Sequence, residues 1–448
     1  MLHDPFVAVI LLLVAILLTA VLGRGVARRF GVPAVLGELV AGVLLGNVAY
    51  QAGLPLAVLV MHLSDAMAVL EAAWGGAMAP SAVVASMDLP VALEAVLEAR
   101  SVRFIEPVVA VWVFANLGLL LLLFMVGLET RLEELKTVGA RAAGVALVGV
   151  VVPFALGGAA SFVLAPDGDP LRHIFLGAAL TATSIGVTAR IFHDLGQVHS
   201  KVARVVLASA VIDDVLGLAI LAVISGIVLS GRAEVAEIAI MLTLAVGFVL
   251  FIFTLARRLA NHEAAVFARI DPDNAQLLYP LVLCLLFAVV ADLIGLATII
   301  GAFAAGVIVS DRMFAGFRKD PTPVRRLVGP LERFFAPIYF VVLGMQVNLE
   351  IFVDLSMLGL GLVIVAVAIF GKMAAGLAAG QGMNRLAVGV AMIPRGEVTL
   401  VFAGTGKALG VLDESQFGAL VAVVLVTLIL APPVLKFALG RTAGKQVP

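Results

Sequence analysis

Charge and cysteine are what this sequence has least of. Only 13% of its 448 residues are charged, against about one-quarter in an ordinary soluble domain. Hydrophobic residues make up 62% and the mean hydropathy is +1.17. A single aqueous core cannot hide that much apolar surface, so a bilayer is the solvent that fits the composition. One cysteine, Cys284, excludes an intrachain disulfide and a cysteine-built metal site. In LVLCLLFAVV it reads as a lipid- or core-facing filler. Net charge is −1 and no long Lys/Arg block exists, so no nucleic-acid partner is expected. The start, MLHDPFVAVILLLVAILLTAVLG, has neither the basic region nor the small-residue cleavage site of a signal peptide and is read as a retained first helix.

What is abundant is long apolar runs. About 20 residues cross the hydrocarbon core as a helix, and thirteen stretches qualify. They lie near 5–23, 33–50, 107–128, 142–165, 172–192, 205–230, 236–256, 276–293, 296–310, 334–348, 355–380, 386–408 and 416–436. The expected fold class is therefore an all-α polytopic membrane protein. Lysines and arginines then set its orientation. With the N-terminus outside and the C-terminus inside, twenty-two of the 29 fall in inner segments. Arg131, Arg204, Arg258 and the group from Arg312 to Arg333 are among them. Only Arg100, Arg103, Arg172, Arg232 and Lys407 fall outside, and Lys372 and Arg395 lie within spans. Residues 60–106 form a mildly acidic outside segment with Gly-Gly and two prolines. It reads as a solvated connector with amphipathic pieces such as VALEAVLEARSV.

Glu38, Asp213, Asp214, Lys372, Arg395 and Glu397 sit inside spans, each at roughly 2.5–3.5 kcal/mol on insertion scales when at the helix centre. Structural ion pairing is the alternative to function for any one of them. The adjacent pair in AVIDDVLGL is the most telling. At 1.5 Å rise per residue, Asp213 lies about 12 Å from the inner end of its span, near the midplane. Neighbouring positions on a helix do not share a face, so one carboxylate can line a cavity while the other meets a fixed positive group. Close like charges also split their titration. Oxygens that can hold either a proton or a hard monovalent cation are suited to exchange, and periodicity leaves the order of the two aspartates open.

Two spans carry helix breakers. In GAALTATSIGVTARIF (177–192), Thr181, Thr183, Ser184 and Thr188 crowd together with Gly177 and Gly186. That pattern fits a small-residue packing face or a broken helix whose freed carbonyls and hydroxyls help coordinate a cation. In GVAMIPRGEVTLVFAGTGKALG (389–410), Pro394 removes a donor and Gly396 loosens the turn beside Arg395 and Glu397. Each break is the middle of a triplet of spans, the fourth to sixth and the eleventh to thirteenth. The odd offset between them makes the triplets antiparallel, an inverted repeat of the kind secondary transporters use. Lys372 approaches the centre from the second triplet and is the natural partner of one aspartate.

Seven stretches, in order, resemble the cation:proton antiporter superfamily, its second monovalent cation:proton antiporter family, and within it the bacterial NapA-like sodium/proton antiporters. They are VPAVLGELVAGVLLG (32–46), LLLFMVGLE (121–129), TATSIGVTARI (181–191), ASAVIDDVLGL (208–218), GAFAAGVIVS (301–310), FFAPIYFVVLGMQVNL (334–349) and MIPRGEVTL (392–400). The resemblance implies a homodimer in the bacterial inner (plasma) membrane. A moving core, 142–230 and 355–436, would contain two crossing broken helices. A dimer scaffold would comprise 1–141 and 257–354, with 231–256 as a linker helix and 437–448 as a cytoplasmic tail. It implies Asp214 as the ion- and proton-binding carboxylate, with Asp213 beside it for Na⁺ and paired with Lys372 in the ion-free or protonated state. Thr183 and Ser184 would stand at the first break, with Arg395 and Glu397 holding the second break or the inner side of the core. The Asp–Asp pair plus a membrane lysine resembles the electrogenic members, which exchange Na⁺ or Li⁺ for protons by an elevator movement. No enzyme activity, no cofactor and no soluble regulatory domain are expected. The alternatives are a potassium/proton antiporter and, from another class, a sodium-coupled solute symporter. A channel would need a carbonyl filter or charge ring that the sequence lacks.

Overall fold

The computed structural model describes residues 5–30, 33–63, 65–67, 69, 91–100, 106–129, 132–166, 169–230, 240, 243–244, 247–248, 251, 263, 266–267, 269–271, 274–294, 296–314, 322–347, 349 and 355–443. Most of the expected span at 236–256 and most of the 60–106 segment lie outside them. Every regular element among the described residues is helical. In chain order they are α1 (Pro5–Arg29), α2 (Ala34–Gln51), α3 (Pro55–Met61), α4 (Val91–Arg100), α5 (Glu106–Glu129), α6 (Leu132–Leu164), α7 (Pro170–Ala179), α8 (Ile185–Asp194) and α9 (Lys201–Ser230). They continue with α10 (Ala275–Leu293), α11 (Thr298–Ile308), α12 (Val324–Met345), α13 (Leu355–Met373), α14 (Arg385–Ala391), α15 (Glu397–Ala408) and α16 (Glu414–Ala443). Eight helices among the described residues are long and apolar enough to cross a bilayer.

Two expected spans are broken, as the helix breakers in them suggested, and two other stretches differ in extent from the sequence reading. The stretches 172–192 and 386–408 are each two short helices, α7 with α8 and α14 with α15, because both chains leave the helical path at their polar centres. The stretch 355–380 is α-helical only to Met373 and tightens into a 3₁₀ turn over Ala374–Ala379. Helix α12 starts ten residues before the expected span, at Val324. Pro323 precedes it, where a missing N–H costs nothing, and Arg325, Arg326, Glu332 and Arg333 are helical rather than part of a loop.

Contacts divide the chain into residues 1–118 with 334–354 and residues 119–333 with 355–448, the divisions falling within α5 and α12. In the first unit, glycines let backbones meet. A methyl on Gly23 or Gly37 would lie about 2 Å from the other's carbonyl oxygen, so α1 and α2 touch main chain to main chain. Arg24 then reaches the fully buried Glu38 at 3.3 Å. Gly42 and Gly46 face Val341 and Met345 in the same way. Asn47 fastens that contact by donating to Val347 O at 2.7 Å and accepting from Leu349 N at 2.8 Å. These are small-residue seams of the kind lipid-soluble helices need, since apolar surface alone gives them little reason to associate.

In the second unit α6 packs on α7, α9 and α13, and α13 packs on α16. Gly371 of α13 sits against Pro153 of α6. Gly301 meets Phe287 between α10 and α11. Cys284 is buried in α10, which makes it core-facing. This packing encloses the two helix breaks.

Candidate functional site

Helix α7 stops at Ala179, and α8 begins at Ile185 with Ser184 as its cap, accepting from Val187 N at 3.4 Å. Helix α14 stops at Ala391 and α15 begins at Glu397. The two gaps satisfy each other. Ser184 N donates to Pro394 O at 2.8 Å, Thr183 Oγ1 to Met392 O at 3.4 Å and Thr188 Oγ1 to Ala391 O at 3.1 Å. The Arg395 guanidinium donates to Ala182 O across the crossing, and to Ala368 O of α13 at 3.5 Å. The Arg395 backbone N–H meets Thr427 Oγ1 of α16 at 3.3 Å. Non-helical backbone at membrane depth is tolerated only when its polar groups find such partners. Gly396 is needed here because a methyl on it would lie 2.8 Å from Ser184 Oγ.

The charged residues converge on this crossing. Lys372 Nζ donates to both oxygens of Asp213, at 3.0 and 2.9 Å, and neither side chain is exposed at all. Thr183 and Arg395 are both near enough to Asp213 to favour its charged form. Asp214 is 1% exposed and close enough to Lys372 for their charges to interact. The lysine head lies against α6, since a methyl on Gly149 would be 3.5 Å from Nζ. Of the residues singled out in the sequence, Asp213, Asp214, Thr183, Ser184, Lys372 and Arg395 thus come together. Glu397 opens α15, and its side chain lies outside the described residues.

Chemically, the site is two adjacent carboxylates with a single ammonium on one of them, walled by hydroxyls and by helix ends. A buried pair of this kind is held by its geometry: replacing both partners can be neutral, whereas removing one leaves an uncompensated charge. Carboxylate oxygens such as those of Asp214 are of the kind that can take either a hard cation or a proton.

A family model described as sodium/hydrogen exchanger, transmembrane, matches residues 13–440. The chain belongs to this family. It is 34% identical over 448 residues to the high-affinity Na⁺/H⁺ antiporter NhaS3 of Synechocystis, an alignment covering 98% of this chain and 92% of that one. It is 28% identical over 430 residues to a Na⁺/H⁺ antiporter of Enterococcus hirae, covering 95% and 97%. The structure of the sodium proton antiporter MjNhaP1 from Methanocaldococcus jannaschii at pH 8 superposes with a TM-score of 0.57. It covers 97% of this chain and 100% of that one at 15% identity, a likeness of fold.

Sequence reasoning missed some of what this exchanger's structure brings together. Thr427, a lone hydroxyl in the apolar run of α16, backs Arg395. Its only signal was its isolation in VTLIL. The second omission is a buried charge cluster. Arg190 of α8, counted among inner-loop basic residues, bonds Asp194 at 3.0 Å and Glu332 of α12 at 3.0 Å. His193 stands beside it, its ring 3.8 Å from Asp194. The Asp194 carboxylate beside it raises His193 above its ordinary value of 6.5, against the opposing pull of burial and of Arg190, and Glu332 reinforces the rise. A histidine raised on folding stabilises the fold fully below about pH 6.5 and loses that contribution as pH rises through the folded value. His193→Gln is therefore expected to lower the melting temperature most below pH 6.5 and least at alkaline pH. Melting curves of both proteins from pH 5 to 9 measure this, and a gap that widens with pH contradicts it.

Proposed function

We propose that this exchanger is a secondary sodium/proton antiporter whose ion site is the Asp213–Asp214 pair, and that it works electrogenically. The observation that carries the reading is the fully buried Lys372–Asp213 ion pair beside Asp214 at the crossing of two broken helices. The names of its relatives from Synechocystis and Enterococcus hirae support the choice of ions. The proposed topology is thirteen spans, outside N-terminus and inside C-terminus, in the bacterial plasma membrane. The basic-residue asymmetry supports it. Residues 142–230 and 355–436 form inverted repeats that move as one core against a dimerised scaffold of 1–141 and 257–354.

The mechanism is competition, with no covalent step and no catalysis. Asp214 holds Na⁺ with Thr183 and Ser184 near it, or it holds a proton. Asp213 pairs with Lys372 while the site is ion-free or protonated and turns to the cation when sodium enters. Arg395 keeps the crossing rigid through the Ala182 and Ala368 carbonyls. Because proton and sodium exclude each other, the gradient of one drives the other, and the core presents the site to each side in turn. A lysine that also gives up a proton raises the charge moved per cycle above neutrality.

Competition can be read without vesicles. Sodium titrated into purified protein in lightly buffered solution is expected to release protons, and the apparent sodium affinity should weaken as pH falls. Sodium binding that releases no proton at any pH from 6 to 9 would overturn the reading.

A further inference from the structure

The cluster at the far end of α8 is unused by the mechanism above, although its charges are deeply buried. Arg190 is 6% exposed and Glu332 3%. Arg190 lies on the half-helix that starts at the first break, six residues beyond Ser184, while Glu332 lies on α12. We propose that the Arg190–Glu332 pair is a positioning latch: it fastens α8, and through it the first break, to α12, and it opens in each transport cycle. The proposal rests on the antiport reading, in which residues 142–230 move against 257–354.

The geometry makes such a latch workable. An ion pair is lost once its atoms part beyond about 4 Å, so a sliding movement between α8 and α12 cannot keep this contact in both end states. Arg190 has a second carboxylate, Asp194, one turn along its own helix at 3.0 Å. That partner travels with it. Parting therefore leaves the arginine paired and places the electrostatic penalty on Glu332, which is less costly than exposing two lone buried charges. A cavity of about 220 Å³, lined by His193, Gly196, Val198, His199 and Arg325, opens beside the cluster and shares His193 with it. Water can follow the parting charges there, and the α8–α9 turn has space to shift.

The test is a reversible cross-link. In a Cys284→Ser background, which removes the sole native thiol, Arg190→Cys and Glu332→Cys are introduced together and bridged with mercuric ion. Sodium-dependent proton movement in proteoliposomes is expected to fall to the level of protein-free vesicles and to return after excess dithiothreitol. A bridged protein, verified by lost thiol labelling, that exchanges at its unbridged rate would overturn the latch, and a purely static contact gives that same outcome. Should the double cysteine protein fail to fold, Glu332→Gln serves. Weakening a contact made in one end state shifts the half-saturating sodium concentration, expected here at about fivefold or more. A structural contact would lower the melting temperature and leave half-saturation unchanged, and that result overturns the proposal too. Wild-type vesicles silent to sodium would remove the antiport reading and the latch together, whereas active wild-type vesicles with an inconsequential bridge remove the latch alone.

Discussion

Asp214→Asn is expected to abolish sodium-dependent proton movement while the protein stays folded. Asparagine keeps the size of the side chain but can neither take up a proton near neutrality nor offer sodium a full negative charge. A charged partner withdrawn from a buried site is worth about 3–5 kcal/mol. At tenfold per 1.4 kcal/mol that corresponds to a loss of about 100-fold or more. The fold should survive because Asp214 has no part in the Lys372–Asp213 bond, which remains at 2.9–3.0 Å. Losing one of two adjacent carboxylates also relieves their mutual repulsion, so the melting temperature should hold or rise. The measurement pairs exchange in vesicles with melting of the same preparation. Ordinary exchange in a folded Asp214→Asn protein would remove Asp214 from the site.

Lys372→Ala carries the second large effect, and here stability and transport separate. The truncation takes the ammonium partner from Asp213 at a position with no exposure, which costs about 3–5 kcal/mol. A pronounced drop in melting temperature is therefore expected. Adding Asp213→Asn removes the orphaned charge, so the double variant should recover most of the loss. A double variant no more stable than Lys372→Ala would mean that the lysine acts through packing rather than through its pair. On the transport side, any exchange left in Lys372→Ala should carry less charge per sodium than the wild type. Unchanged charge movement would take the lysine out of the ion cycle.

Both variants concern residues visible in the sequence before any fold was known, and the reason is physical. A carboxylate or ammonium inside an apolar run costs enough that it stands out against a background of 13% charge. The same applies to the breaks: Pro394 with Gly396, and four hydroxyl residues with two glycines in one span, announce backbone that leaves the helix. What periodicity left open was the order of the aspartates, since either can face either way. The ladder of bonds from Ser184, Thr183 and Thr188 to the carbonyls at 391–394 was also illegible. Main-chain partners more than 200 positions apart leave no residue-type signal.

The Arg190–Glu332 pair was hidden for a different reason. Both residues sit where basic and acidic side chains are ordinary, beside the ends of expected spans, so neither looked expensive. Their burial comes from α12 beginning at Val324 and carrying Glu332 into contact with α8. The expected start near 334 left that turn out, because its four charges among the first ten residues read as loop. The amphipathic spacing of VRRLVGPLERFF was the available signal. It places apolar Val324 and Val328 on a buried face while Arg325 and Arg326 point outward.

The central claim is that sodium and protons move in opposite directions through this chain and carry net charge. The most direct measurement is proton movement in sealed proteoliposomes of the purified protein, followed with an internal pH dye. NaCl, LiCl, KCl and choline chloride are added in turn, with and without a clamped membrane potential. Na⁺ or Li⁺ is expected to give a dye response and choline none, at a rate that changes with the applied potential. A response to K⁺ alone, a rate indifferent to potential, or silence toward every cation in sealed vesicles would contradict the claim.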